Sequence, residues 1–460
     1  MQHAPAGLLP HGGPPLWSCG IARVENAHQP LLGRLQARSG SAVRVSQISA
    51  RSHSGGAATA AVRLNRALRA AGVNSTLSAT CLDLPEPGTR PIGFWPTPAH
   101  ARLRLALDQL PRWLGGHFGA EQFTTALGPA PYGVRRAFAD ADVAHLHWIG
   151  KGTLPLRLLA RIEQPMVWTL HDLWALTGGC HYDGGCGRFT NRCGCCPVLR
   201  SARANDLSYR LLEAKRGAYA HARPTFVAPS RWMAGLVHSS HATKGCAVHV
   251  IPNAIDRTVF KPRDGAASRA ALGLPQNAAV IGFAAMGGAS EPRKGFDLLQ
   301  AAVAAVNSAP GLRPLHLLVI GGPGQDGALI PTTGTGHLDS EDAVARALNA
   351  ADVLVAPSRQ DNLPNTVAEA LACGVPAVAF DVGGLPDLIE HQRNGYLARP
   401  FDTADLARGI AWVLQDPECH AALRATARES TTRLAPERVA AQHIELYQEV
   451  LDRHRGAAAR

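Results

Sequence analysis

At 460 residues the chain is too long for one compact core; at about 150 residues per domain it makes three domains, or two large α/β ones. Apolar residues make up 46% and charged ones 18%, which excludes wholesale disorder and allows two sizeable cores. The formal net charge of +11 points to acidic partners such as phosphates, anionic lipid or nucleic acid, and it is unevenly placed. Residues 1–255 carry 27 Lys/Arg against 12 Asp/Glu, whereas residues 256–460 carry 19 against 23. No run of about 18 apolar residues is present, and no basic segment precedes an apolar stretch at the N-terminus. Neither a transmembrane helix nor a signal peptide is expected, so a cytoplasmic protein follows, and its ten cysteines need a use other than disulfides.

Residues 1–40 have no periodicity and many Pro and Gly, and read as a mobile N-terminal extension. A strand is expected over 42–49, then the turn Ser52-His53-Ser54-Gly55-Gly56, then a helix over 57–71 with Ala61, Leu64, Ala67, Leu68 and Ala71 at helical spacing. Strand, glycine turn and helix open a doubly wound sheet. Residues 81–140 are Pro-rich and give no regular pattern. Strands over 142–148 and 165–170 flank a helix over 154–162. After a Cys-rich insertion at 178–200 come a helix over 206–219 and short strands over 225–228 and 248–251. The pattern restarts near 278: strands over 280–285, 315–320, 353–355 and 377–380 alternate with helices over 296–306, 341–349 and 366–372. The expected architecture is two Rossmann-like units, 41–255 and 256–435, facing a central cleft. A C-terminal helix, 436–460, must pack back on one of them, because Val439, His443, Leu446, Tyr447, Val450 and Leu451 share a helical register.

Three stretches carry candidate binding chemistry. Ser54-Gly55-Gly56 stands before a helix N-terminus, where bare amides and the helix dipole favour an anion; a plain βα turn is the alternative reading. In Ser290-Glu291-Pro292-Arg293-Lys294-Gly295, two adjacent cations at a helix start suit a diphosphate, although a solvated basic pair has the same sequence. In the run from Pro357 to Gly374, Asp361 lies in a loop and Glu369, seven residues between, lies in a helix among Val367, Ala368, Ala370, Leu371 and Ala372, where an unpaired acid is costly.

The run from Asp352 to Gly384, with its acid-x7-acid spacing, resembles the retaining family-4 glycosyltransferases of the GT-B fold. Ala228-Pro229-Ser230, the turn Ile251-Pro252-Asn253-Ala254-Ile255-Asp256 and Arg293-Lys294-Gly295 fit the same pattern in order. His145-Leu146-His147-Trp148, Thr169-Leu170-His171-Asp172-Leu173-Trp174 and Thr177-Gly178-Gly179-Cys180-His181-Tyr182 resemble the exopolysaccharide (colanic-acid-like) subgroup. The resemblance implies transfer of a sugar from a nucleotide-diphosphate sugar to a lipid-linked saccharide, without a catalytic metal. Arg293 and Lys294 would hold the diphosphate, Gly55 and Gly56 would close on it, Glu369 would bind the ribose, Asp361 would touch the sugar, and His171 would lie beside it. Two departures stand out. Asp361 replaces the usual Glu, and Asn362-Leu363-Pro364-Asn365, whose Asn362 and Leu363 go to the donor site, replaces a commoner Gly-containing loop.

Cys180, Cys186, Cys193, Cys195 and Cys196 fall within 17 residues. Cys193-x2-Cys196 has knuckle spacing, and Cys180 and Cys186 could complete a tetrathiolate zinc site, with Cys195 spare; a disulfide pair and reduced packing cysteines are the alternatives. His145 and His147 alternate on a strand and read as structural. A second class of function, a nucleic-acid-binding protein with a basic N-terminal half and zinc knuckle, fits the charge but lacks an aromatic-basic motif. The basic half is better assigned to an acceptor, an anionic membrane face included, and no nucleic-acid partner is expected.

Overall fold

The computed structural model describes residues 43–53, 55–92, 98–114, 122–284, 291–307, 311–324 and 329–458. The expected extension over 1–40, with Ser54 and Ser290, lies outside the described residues.

Two fully parallel sheets form the chain. The first holds β1 (Arg44–Arg51), β2 (Asn74–Cys81), β3 (Thr89–Pro91), β4 (Val143–Leu146), β5 (Met166–Thr169), β6 (Thr225–Ala228) and β7 (Val248–Val250), in the order 3-2-1-4-5-6-7. The second holds β8 (Ala279–Ala284), β9 (Leu315–Ile320), β10 (Thr332–Gly334), β11 (Val353–Ala356), β12 (Ala377–Phe380) and β13 (Gly395–Ala398), in the order 10-9-8-11-12-13. Each order reverses once, between β1 and β4 and between β8 and β11. At such a switch point the loops leaving the carboxyl ends of the two strands diverge and leave a crevice.

Side chains alternate between two buried faces, as in strands covered on both sides. In the second sheet Val280, Leu318, Leu354 and Ala377 face one core, while Ile281, Leu317, Val353 and Val378 face the other. In the first sheet Leu146, Trp168 and Phe226 belong to one core. The opposite face, Val45, Val143, Val167 and Val227, is covered by α1 (Gly56–Ala70) and by the last helix, Pro436–Ala458. That helix brings Val439, Ile444, Tyr447, Val450 and Leu451 onto the sheet, and the Tyr447 hydroxyl lies 2.7 Å from His145 Nδ1. The two segments that cross between domains are bonded to each other, Ile255 N–H donating to Leu434 O at 2.9 Å.

The sequence reading needs several corrections. The helix expected over 154–162 is a single turn, Leu156–Leu159, because Pro165 disfavours helix at Gln164 and the chain must turn into β5. Strand β2 was not expected: Ser75, Ser78 and Thr80 hide its pattern, yet it is buried, and the Ser75 and Thr80 hydroxyls find partners there. Gln47 Nε2 donates to Ser75 Oγ at 2.8 Å, and Thr80 Oγ1 donates to Ala50 O at 2.9 Å. The unparsed region 81–140 contains β3 and α2 (Pro98–Leu114). Also unexpected are β10, β13 and the helices Thr403–Gln415 and Pro417–Ser430, capped by Asp402 and Asp416. Among the described residues no helix is long and apolar enough to cross a membrane.

Candidate functional site

The donor-site candidates emerge at the two switch points. Arg293 and Lys294 form a 3-10 turn, Pro292–Lys294, in the connection leaving β8, and Asp361 follows β11. Gly295 ends the turn at φ +71°, and an added Cβ would stand 2.0 Å from Pro357 O. Only glycine lets the cationic turn lie against the β11 loop this closely. Lys294 Nζ meets Asp361 Oδ2 at 2.6 Å and Arg293 Nη1 meets it at 3.3 Å. Asp361 is 6% exposed. Its burial pushes the carboxyl up, but Lys294 and Arg293 outweigh burial and hold it below the usual carboxylate range.

Arg293 is further paired with Glu291 at 2.7 Å and donates to Gln360 O at 2.9 Å. Its guanidinium lies 4.2 Å from the centre of the Tyr182 ring, which comes from the other domain. Gln360 Nε2 donates to Asp183 Oδ1 at 2.9 Å. Asn362 spans the cleft as well: Ser230 Oγ donates to its Oδ1, and its Nδ2 donates to Leu170 O, both at 2.8 Å. The loop of Asp361 and Asn362 is thus seated beside His171. Leu363, assigned to the donor site from sequence, is 7% exposed and packs in the C-terminal core, with Val367 and Leu371 in the same cluster.

Gly55 and Gly56 open α1, Gly55 at φ +103° with open space where a Cβ would be. Asn365 Nδ2 donates to Gly56 O at 3.1 Å, which brings the glycine turn against the helix α3 (Asn365–Ala372) that carries Glu369. Glu369 is 5% exposed. Sequence reasoning missed its partner: Arg63, on α1, donates to Glu369 Oε1 at 2.7 Å and to Glu341 Oε1 at 2.8 Å. The Arg63 side chain is 3% exposed, lies 5.0 Å from the centre of the Phe260 ring, and has its Nη1 unpartnered. The spacing of Arg63, Arg66 and Arg69 reads as a solvated helix face, and nothing in sequence singles out Arg63.

On the N-terminal side a chain of hydrogen bonds fixes His171. Gln47 Nε2 donates to Asn65 Oδ1 and Ser75 Oγ, so its Oε1 accepts from His147 Nε2 at 2.8 Å. His147 Nδ1 then accepts from His171 Nε2 at 3.1 Å, which leaves the His171 Nδ1 lone pair as an acceptor. His171 is partly exposed at the cleft yet deep in the molecule, and burial lowers it to about 4. Burial also lowers His443 to about 4, and His145 and His147 well below 6.5. These imidazoles are neutral in the folded chain, whereas the unfolded chain binds protons below about pH 6.5. Their contribution is therefore present above that pH and lost as the pH falls towards 4, by about 1.4 kcal/mol per unit for each histidine. The melting temperature should drop between about pH 7 and pH 5; an unchanged value would contradict the neutral-ring assignment.

Two family models match the chain, "Glycosyltransferase Family 4" over residues 54–259 and "Glycosyl transferases group 1" over 279–416. The first domain thus belongs to glycosyltransferase family 4 and the second to glycosyl transferases group 1, in one GT-B fold. Among curated proteins, a D-inositol 3-phosphate glycosyltransferase of Saccharomonospora viridis is 37% identical over 229 residues, 46% of this chain and 52% of the relative. One of Segniliparus rotundus is 32% identical over 291 residues, 60% of this chain and 59% of the relative. The chain spans about half the length of most curated relatives it matches. Among solved structures, the sucrose-phosphate synthase of Thermosynechococcus elongatus superposes with TM-score 0.63 at 21% identity, covering 89% of this glycosyltransferase and 99% of that chain. Anabaena HepE, in complex with UDP and glucose, gives TM-score 0.59 at 16% identity, covering 88% and 100%. At these identities the solved structures establish the shared fold.

Proposed function

We propose that this glycosyltransferase moves a hexose, with retention, from a nucleotide-diphosphate sugar to a phosphate-bearing acceptor, with a lipid-linked saccharide of surface polysaccharide assembly as the acceptor class. The observation that carries the donor reading is the placement of Lys294, Arg293 and Asp361 at one switch point, facing Gly56, Tyr182 and His171 across the cleft. Charge grows on the leaving diphosphate as the sugar departs, and Arg293 and Lys294 stabilise it where it develops. The acceptor hydroxyl attacks from the same face and passes its proton to the leaving phosphate, so no covalent nucleophile is used. Asp361, held ionised, accepts from sugar hydroxyls. Glu369, one oxygen of which is fixed by Arg63, accepts from the ribose. His171 offers its lone pair at Nδ1 to a hydroxyl on the acceptor side.

Thermal-shift screening against a panel of nucleotide-diphosphate sugars tests the donor assignment. Stabilisation by sugars of one base is expected, and no stabilisation by any would overturn it. The basic half of the sequence supports an anionic acceptor or membrane face: binding to vesicles should rise with anionic lipid and fall with salt. A second acceptor, a soluble inositol phosphate, is favoured by the curated relatives, which are D-inositol 3-phosphate glycosyltransferases. It predicts turnover with that acceptor in the absence of lipid. The match of both domains to glycosyltransferase families favours the enzyme over the nucleic-acid reading.

A further inference from the structure

Cys180, Cys186, Cys193 and Cys196, scattered over 17 residues of sequence, all line one cavity between the insertion loop and the first helical turn after Asp206, at Ser208. The cavity measures about 20 Å³, room for a single water-sized occupant. None of the nine described cysteines is bridged, so the alternative of a disulfide pair is not realised here. Backbone amides approach two of the four sulfurs. Around Cys196 the amides of Val198 and Leu199, two and three residues on, point at its sulfur, as in a metal-binding knuckle. The amide of Gly178 points at Cys193. Lys215 is fully buried beneath the cluster, donating to Thr177 O at 2.8 Å and to Trp174 O.

We propose that these four cysteines bind one structural zinc ion. Among the described residues no three Cys, His, Asp or Glu side chains are already set as a coordinating group, so uptake draws the four sulfurs inward and releases their protons. The loop can contract, since Gly184, Gly185 and Gly187 have open space around them. Cys195 is not a ligand: its backbone is left-handed at φ 44°, and its thiol is bonded to Ala202 O at 3.3 Å. The ion's place in the fold gives it a purpose. Cys180 immediately precedes His181, Tyr182 and Asp183. Through them the loop pairs with Asp172, stacks on Arg293 and bonds Gln360. The zinc would anchor the loop that reaches the diphosphate-binding arginine.

The experiment is metal analysis of the full chain purified under reductant. One zinc per chain is expected, with the four thiols reacting with a thiol reagent only after chelation. Cobalt(II) exchange should give the intense absorption of a tetrahedral thiolate site. Cys193→Ser and Cys196→Ser should lose the metal, while Cys195→Ser keeps it. Since a ligand variant could fail to fold, the parent chain alone is decisive. If it is folded and fully reduced, and yet contains no zinc and gives no cobalt spectrum after reconstitution, the proposal is overturned. Retention of one zinc by the folded Cys196→Ser chain would overturn it equally. Neither readout depends on donor binding, so the glycosyltransferase reading stands or falls separately.

Discussion

Lys294→Ala is expected to lower kcat by about 10²–10³-fold, the usual cost of removing one donor that stabilises developing charge. The fold should survive. Asp361, the buried partner of Lys294, keeps Arg293 at 3.3 Å, so the substitution does not leave an unpaired carboxylate. The measurement is an initial-rate assay with the nucleotide sugar that stabilises the parent, alongside a melting curve. Lys294→Arg should recover part of the loss, because charge is restored with a different shape. Undiminished turnover in a folded Lys294→Ala enzyme would remove the diphosphate assignment, and with it the main support for the donor site.

Arg63→Ala should have the largest effect on stability. Removing the cation from a buried pair strands Glu369, 5% exposed, next to Glu341 with only Arg66 left at 3.5 Å from the latter. Breaking such a pair from one side costs about 3–5 kcal/mol. The pair joins α1 of one domain to α3 of the other, so the loss should also loosen the domains. Equilibrium unfolding would read the first effect and small-angle scattering the second. Arg63→Ala combined with Glu369→Gln should recover part of the stability, since the stranded charge is gone. Single-variant stability equal to the parent's would show that the Arg63–Glu369 contact carries no net energy.

What could be read from the sequence follows from where the information lies along it. Strands β8, β9, β11 and β12 are covered on both faces and read as apolar runs such as Leu315–Ile320. Strand β2 escaped because its burial rests on hydroxyls paired with Gln47, Asn65 and Ala50, which look polar one residue at a time. The candidate residues Arg293, Lys294, Asp361 and Glu369 stand out in the sequence because their chemistry sits in short contiguous motifs. Arg63, Tyr182 and Ser230 were not recognised as site residues, because each acquires its role only by meeting a residue of the other domain: Glu369, Arg293 and Asn362. The same holds for Gln47, whose amide sets the tautomers of His147 and His171 from strand β1. A pairing between distant segments leaves no periodic trace in either of them.

The last helix, Pro436–Ala458, lies on the sheet made by the first half of the chain. On the ribosome, strand β7 ends at Val250, and the whole second domain is synthesised before Val439, Ile444, Tyr447 and Leu451 emerge. At ordinary elongation rates that interval is roughly 10–40 s. Throughout it, Val45, Val143, Val167 and Val227 have α1 over them but not the last helix. The second domain, by contrast, has both its faces in hand as soon as it is made. Folding order is thus the reverse of sequence order: the later-made domain can finish folding first, and the earlier one waits with an apolar face that chaperones can hold. Expressed by itself, a fragment ending near residue 255 would carry that face permanently.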